Sequence, residues 1–293
     1  MSTIIITDSS CDLTLDYVEK NKSVLDVLGT SVNIDGFEYI DDLGKTVSHD
    51  EFYSKLRAGI IPSTAQTNIY KFYEVFDHYS KMGKSIIYVG LSSGLSGTYN
   101  NSIMARKEYM QDNKEADITI IDTVSASIGL GVLVVHAAEM VKEGKSKEEI
   151  VKYLEENKFN ANHWFAVDDL MYLRKGGRIP SAVAVVGTAL NVKPILIVNR
   201  KGELVSYAAI RGRKKSIKFL SDKFNEHIRE VEDKIIIIGH GNCIEDAERL
   251  KQIIEKKYKP KAIMISELSA TIASHVGPNM IAIAFIGDNR EDK

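Results

Sequence analysis

The chain has 293 residues, 44% of them hydrophobic and 27% charged, with a formal net charge of -2. This is the composition of a globular protein long enough for two domains, and the near-neutral balance argues against general nucleic-acid binding. The two cysteines, Cys11 and Cys243, sit in no C-x-x-C pair or histidine cluster, so they read as buried thiols of a reduced protein rather than a disulfide or zinc framework.

Runs rich in Ile and Val and bounded by turn residues predict strands at 3–7, 27–34, 85–91, 118–122, 163–167, 195–199, 204–210, 234–239, 262–266 and 281–286. Several are continuously apolar, as strands covered on both faces are. Helical patterns lie between them. Ser48-His49-Asp50-Glu51 and Ser146-Lys147-Glu148-Glu149 are capping-box signatures for helices at 48–58 and 146–157. Further helices are expected near 68–82, 97–111, 126–143, 214–230 and 244–257. Strands alternating with helices predict an α/β fold with largely parallel pairing. The turn at 199–203 reads as a hairpin, which makes the second half a mixed sheet. The polar stretch at 155–162 places a boundary between an N-terminal α/β domain, 1–160, and a C-terminal one, 161–293. The charged residues 288–293 are expected to fray. The N-terminus carries no leader pattern, and no apolar run reaches the ~20 residues that cross a bilayer, so a cytoplasmic location is expected.

Chemistry concentrates where predicted strands end. In Gly90-Leu91-Ser92-Ser93-Gly94-Leu95-Ser96-Gly97-Thr98 a strand gives way to glycines and hydroxyls and then to a helix. Free N–H groups at such a junction favour an anion. Ser96 stands near the helix start, where its hydroxyl either caps the helix or donates to a ligand. The same stretch contains G-x-S-x-G, the nucleophile-elbow pattern. A hydrolase reading would use Ser92, with Asp168 or Asp169 and then His240 or His275 as triad partners. No HGGG-like oxyanion segment precedes it, so binding is the stronger reading. A phosphate- or nucleotide-binding module is a further alternative.

The loop Pro62-Ser63-Thr64-Ala65-Gln66-Thr67 offers a second hydroxyl, on Thr64, ahead of a helix. Arg174-Lys175-Gly176-Gly177-Arg178-Ile179-Pro180 is a basic turn, with Pro180 suited to the first turn of a helix. Arg211-Gly212-Arg213-Lys214-Lys215 is a second basic cluster. Both can serve as solvated loops or as docking patches for phosphate or an acidic partner. His275, followed by Val276-Gly277-Pro278, lies in a turn just before the last predicted strand, where ligand loops gather in α/β proteins. No metal-ligand spacing, P-loop or G-x-G-x-x-G stands out.

Asp8-Ser9, Thr64-Ala65-Gln66, residues 91–99, Asp122-Thr123, Lys175-Gly176-Gly177-Arg178, Arg211-Gly212 and His275-Val276-Gly277-Pro278 form an ordered set over nearly the whole chain. Together they resemble the DegV family of bacterial fatty-acid-binding proteins. The resemblance implies two α/β domains with one long-chain fatty acid, such as palmitate, stearate or oleate, buried between them. It implies no cofactor and no catalysis by this chain alone. Thr64 and Ser96 would hold the acyl carboxylate, with Ser93 as the neighbouring alternative, and His275 would support them. The bound acid would be presented to the ATP-binding subunit of a fatty acid kinase, which makes acyl phosphate for phospholipid synthesis. Arg178 and Arg211 would face that partner, and membrane contact would be at most transient. The threonine loop departs from the usual T-S-Q-P, reading Thr64-Ala65-Gln66-Thr67. The physics is consistent with the resemblance: each buried methylene contributes about 0.8 kcal/mol, and a buried carboxylate needs polar partners.

Overall fold

The computed structural model describes residues 2–180 and 191–291. Its strands are β1 (Thr3–Asp8), β2 (Leu25–Leu28), β3 (Thr30–Ile34), β4 (Phe37–Asp41), β5 (Ser63–Ala65), β6 (Ser85–Gly90), β7 (Ile118–Asp122), β8 (Ala161–Ala166), β9 (Val192–Val198), β10 (Leu204–Arg211), β11 (Ile235–His240), β12 (Ala262–Glu267) and β13 (Ile281–Ile286). The helices are α1 (Leu15–Lys20), α2 (His49–Arg57), α3 (Ile69–Lys81), α4 (Thr98–Asp112), α5 (Ile128–Lys142), α6 (Lys147–Asn157), α7 (Met171–Lys175), α8 (Arg213–His227), α9 (Ile244–Glu255) and α10 (Ala270–Val276).

The first sheet has the order β2-β1-β6-β7 and is parallel throughout. The second has the order β10-β9-β8-β13-β11-β12, with only β11 and β12 parallel, so the expected mixed sheet is present. A small antiparallel sheet, β4-β3-β5, stands beside them.

Side chains alternate across each strand, so the large sheets bury both faces. On β1, Ile4 and Ile6 pack with Phe72 and Phe76 of α3, while Ile5 faces the molecular centre. On β11, Ile236 and Ile238 pack with Phe224 of α8 and Leu250 of α9, while Ile235 and Ile237 face the centre. Helix α5 fills that centre between the two sheets. It is buried without interruption from Ile128 to Val135, as a helix apolar on all sides must be. One hydrophobic core thus runs from β1 and β6 through α5 to β8, β11 and β13.

Several elements differ from the sequence expectation. The single strand expected at 27–34 is two strands in different sheets, because the chain turns at Gly29 and the Thr30 N–H donates to Ser9 Oγ at 3.2 Å. Helix α8 stops at His227, where Ile228 adopts an extended conformation. Strand β4 has a largely exposed pattern and β5 has only three residues, so neither carries a readable hydrophobic period. The segment after β13 is tied down as far as it is described. The Asp288 N–H donates to the His227 carbonyl, and the Arg290 side chain is buried. The helix expected to open at Pro180 lies outside the described residues, as do Asp292 and Lys293.

Candidate functional site

Three elements bring the site together. Strand β5 pairs antiparallel with β3, setting Thr64 opposite Val32. Helix α10 starts at Ser269, whose hydroxyl accepts the Ile272 N–H, and ends at Gly277 with φ 75, so His275 falls in the last turn. The junction after β6 carries Leu95 and Ser96 toward both.

The central contact joins Thr64 Oγ1 and His275 Nε2 at 2.8 Å. Burial, helped by the nearby Arg178 cation, lowers the His275 pKa to about 4, so the ring is neutral near pH 7. Its Nδ1 is buried without a hydrogen-bond partner and lies against Gly176. A Cβ at that glycine would stand 2.3 Å from Nδ1, so the ring seats only because residue 176 has no side chain. Arg178 donates through Nε to the Leu95 carbonyl at 3.2 Å and through Nη1 to the Gly176 carbonyl. Among the described residues no carboxylate pairs with this guanidinium.

Ser96 is not the N-cap of α4. Gly97 holds that position, and Ser96 precedes it, with its hydroxyl accepting the Thr98 N–H at 3.3 Å. The two hydroxyl loops are tied to each other. Thr98 Oγ1 accepts the Thr67 N–H at 3.2 Å, and Asn101 Nδ2 donates to the Thr67 carbonyl at 2.8 Å. Thr64, Ser96, Arg178 and His275 all line one cavity of about 880 Å³, its opening included. The remaining walls include Phe165, Leu173, Val198, Leu204, Met280 and Ala282, all apolar. An amphipathic ligand with one anionic end suits this division of the surface.

Other expected residues lie elsewhere. Ser93 is exposed and does not line the cavity; its hydroxyl donates to Asp122 Oδ2 at 2.5 Å. Arg211 is exposed at the end of edge strand β10, away from the cavity lining. The Ser92 triad is not assembled. Ser92 is buried, donates to the Gly202 carbonyl at 2.8 Å, and accepts the Gly94 N–H. His240 accepts from the Cys243 N–H, Asp168 accepts from Lys193 and Asn279, Asp169 accepts from the Met171 N–H, and His275 is committed to Thr64. A short strand–turn–helix motif satisfies the G-x-S-x-G pattern here without a base to activate it. Cys11 and Cys243 are both free.

Asp8, Thr271 and His163 also line the cavity. In the sequence Asp8 stands out as a polar residue at a strand end and as the first of the ordered motifs, with no role assigned to it. Burial raises its pKa, opposed by hydrogen bonds from Ser10 and Tyr88. Thr271 lies within a seven-residue helix and His163 within a buried strand, so neither carried a loop signal. The triplet Glu226, His227 and Glu291 has metal-like spacing, but Lys223 Nζ lies 2.8 Å from Glu226 and 3.1 Å from Glu291 and pairs with both carboxylates. Among the described residues no helix is long and apolar enough to cross a membrane.

A family model described as "Uncharacterised protein, DegV family" matches residues 2–288. A DegV domain-containing protein of Clostridium perfringens is 45% identical over 290 residues, covering 98% of each chain. A Thermus thermophilus structure described as fatty acid binding of a DegV family protein superposes with a TM-score of 0.87 at 27% identity. It covers 98% of this chain and 100% of the other. A stearic acid-binding protein of Eubacterium ventriosum gives a TM-score of 0.86 at 25% identity, covering 98% and 99% of the two chains. Sequence and fold agree, and this chain belongs to the DegV family.

Proposed function

We propose that this protein binds one long-chain fatty acid, such as palmitate, stearate or oleate, in the cavity described above and acts as a carrier rather than an enzyme. The observation that carries the reading is the cluster of Thr64, Ser96, His275 and Arg178, whose cation has no acidic partner among the described residues, on an otherwise largely apolar cavity. The acyl chain supplies most of the affinity through buried methylenes. Thr64 and Ser96 donate hydroxyl hydrogen bonds to the carboxylate, which would be very costly to bury unpartnered. With neutral His275 donating from Nε2 to Thr64 Oγ1, the Thr64 proton is free to point at the ligand. Ser93, bonded to Asp122, takes no part. The mostly apolar walls disfavour the phosphate or nucleotide alternative, which would need donors around several oxygens.

The reading extends to a partner. A carboxylate held by neutral hydroxyls keeps a nucleophilic oxygen. That oxygen can attack the γ-phosphorus of ATP on the ATP-binding subunit of a fatty acid kinase, breaking the bond to ADP and forming acyl phosphate. Arg178 at the cavity and exposed Arg211 are the residues assigned to that encounter. Two domains, 1–160 and 161–293, a cytoplasmic location and at most transient membrane contact complete the proposal.

Native mass spectrometry of freshly purified protein tests it. The expected spectrum contains a mass increment that organic extraction releases as a long-chain acid. Protein that is ligand-free, and stays so after incubation with palmitate, stearate and oleate, would refute the reading.

A further inference from the structure

His163 lies in the middle of β8, 5% exposed, and its ring lines the cavity. Its Nε2 accepts from Arg290 Nη1 at 2.8 Å. A guanidinium only donates, so the ring proton sits on Nδ1, which faces the Ala126 carbonyl. Helix α5 presses on the same ring, and a Cβ at Gly129 would stand 1.9 Å from Nδ1. A strand, a helix and a buried arginine thus hold the imidazole in place. Nothing in the head-group chemistry uses it.

Register sets its depth. Phe165 pairs with Ala282, and His163 pairs with Ala284. The polar cluster lies at the other end of these strands, because Leu173 and Arg178 follow β8 and His275 and Met280 precede β13. His163 is therefore two residues, roughly 7 Å, further from the head group than Phe165. Val198 stands beside it at the same depth, because Ile197 of β9 pairs with Trp164, the next residue of β8, and Val198 too lines the cavity.

We propose that His163, seconded by Val198, is the end wall of the acyl site and sets the upper limit on the length of chain this protein accepts. The inference rests on the fatty-acid reading. Cutting back the wall frees the volume of its side chain for further methylenes, each gaining about fourfold in affinity at the usual value per CH₂.

The test uses the delipidated full chain as wild type, His163→Ala and Val198→Ala. Affinities are measured for saturated acids from lauric to lignoceric acid by displacement of a fluorescent fatty acid. Wild type should gain affinity with length and then break sharply. In His163→Ala the break should move to longer acids, and the first acid excluded by wild type should gain about fifteenfold, some two methylenes' worth. His163→Ala also removes the acceptor of Arg290. Val198→Ala, which leaves that bond intact, should move the break the same way by a smaller amount. An unchanged break in both variants, with wild-type affinity for shorter acids, would overturn the end wall and leave fatty-acid binding standing. Failure of wild type to bind any acid of the series would overturn the reading beneath it as well.

Discussion

Replacing Thr64 by Val and Ser96 by Ala together is the sharpest probe of the head-group assignment. Valine matches threonine in shape, so the change at residue 64 removes a hydroxyl and leaves the cavity outline intact. In the unliganded protein His275 Nε2 loses its 2.8 Å partner, and its Nδ1 already has none. The ring then has no hydrogen bond among the described residues, at a cost of about 1–2 kcal/mol of stability. For the ligand, a hydrogen bond to a charged group contributes about 1.5–3 kcal/mol, so losing two costs about 3–6 kcal/mol. This corresponds to a loss of affinity of roughly a hundredfold to ten-thousandfold. The tail contacts are untouched, so the corresponding fatty alcohol should lose far less. The assay is titration calorimetry of delipidated wild type and variant with palmitate and with hexadecanol. The acid-to-alcohol preference of wild type should collapse in the variant, and Thr64→Ser, which restores a hydroxyl, should keep it. A double variant that binds palmitate with wild-type affinity and preference would refute the assignment of both hydroxyls.

Three further outcomes follow from the same geometry. Gly176→Ala should cost about 1–3 kcal/mol in urea denaturation and weaken acid binding, because the new Cβ meets His275 Nδ1 at 2.3 Å and displaces the ring. His136 is held by burial, with Lys234 and Lys261 nearby, at a pKa of about 4, below its ordinary 6.5. Its share of stability is full above pH 6.5 and is lost as pH falls toward 4, so His136→Phe should gain up to about 3 kcal/mol on wild type over that interval in a series of denaturation curves. Ser92→Ala should cost about 1–3 kcal/mol in thermal or chemical denaturation, because it leaves the Gly202 carbonyl and the Gly94 N–H unpaired, and a fluorophosphonate probe should leave wild type unlabelled.

The two kinds of sheet were legible because strand pairing leaves a short-range trace. Ile4, Ile5 and Ile6 are consecutive and apolar because β1 is covered by α3 on one face and by α5 on the other. The 199–203 turn marked β9 and β10 as an antiparallel pair. Capping residues also act locally, and Ser146 with Glu149 opens α6 as a complete capping box. Ser96 shows the limit of such reasoning. It has the right chemistry for an N-cap, yet the cap falls one residue later, at Gly97, and the helix begins at Thr98. The apolar run at 27–34 hid a change of sheet, because nothing in a hydrophobic period says which strand will be the neighbour.

By itself the sequence determined that strands alternate with helices, that the major strands are buried on both faces, and that hydroxyls and cations collect in a few loops. These follow from forces acting over a few residues: periodicity, capping and turn preference. Only the tertiary structure decided which loops meet. Thr64 and His275 are 211 residues apart and touch because β5 joins β3 and α10 packs beside them. The same packing turned Ser93 outward to Asp122, left Ser92 without a base, and made a strand histidine part of the cavity wall. A contact of that span is fixed by how sheets and helices close around one core, and that information is spread over the whole chain.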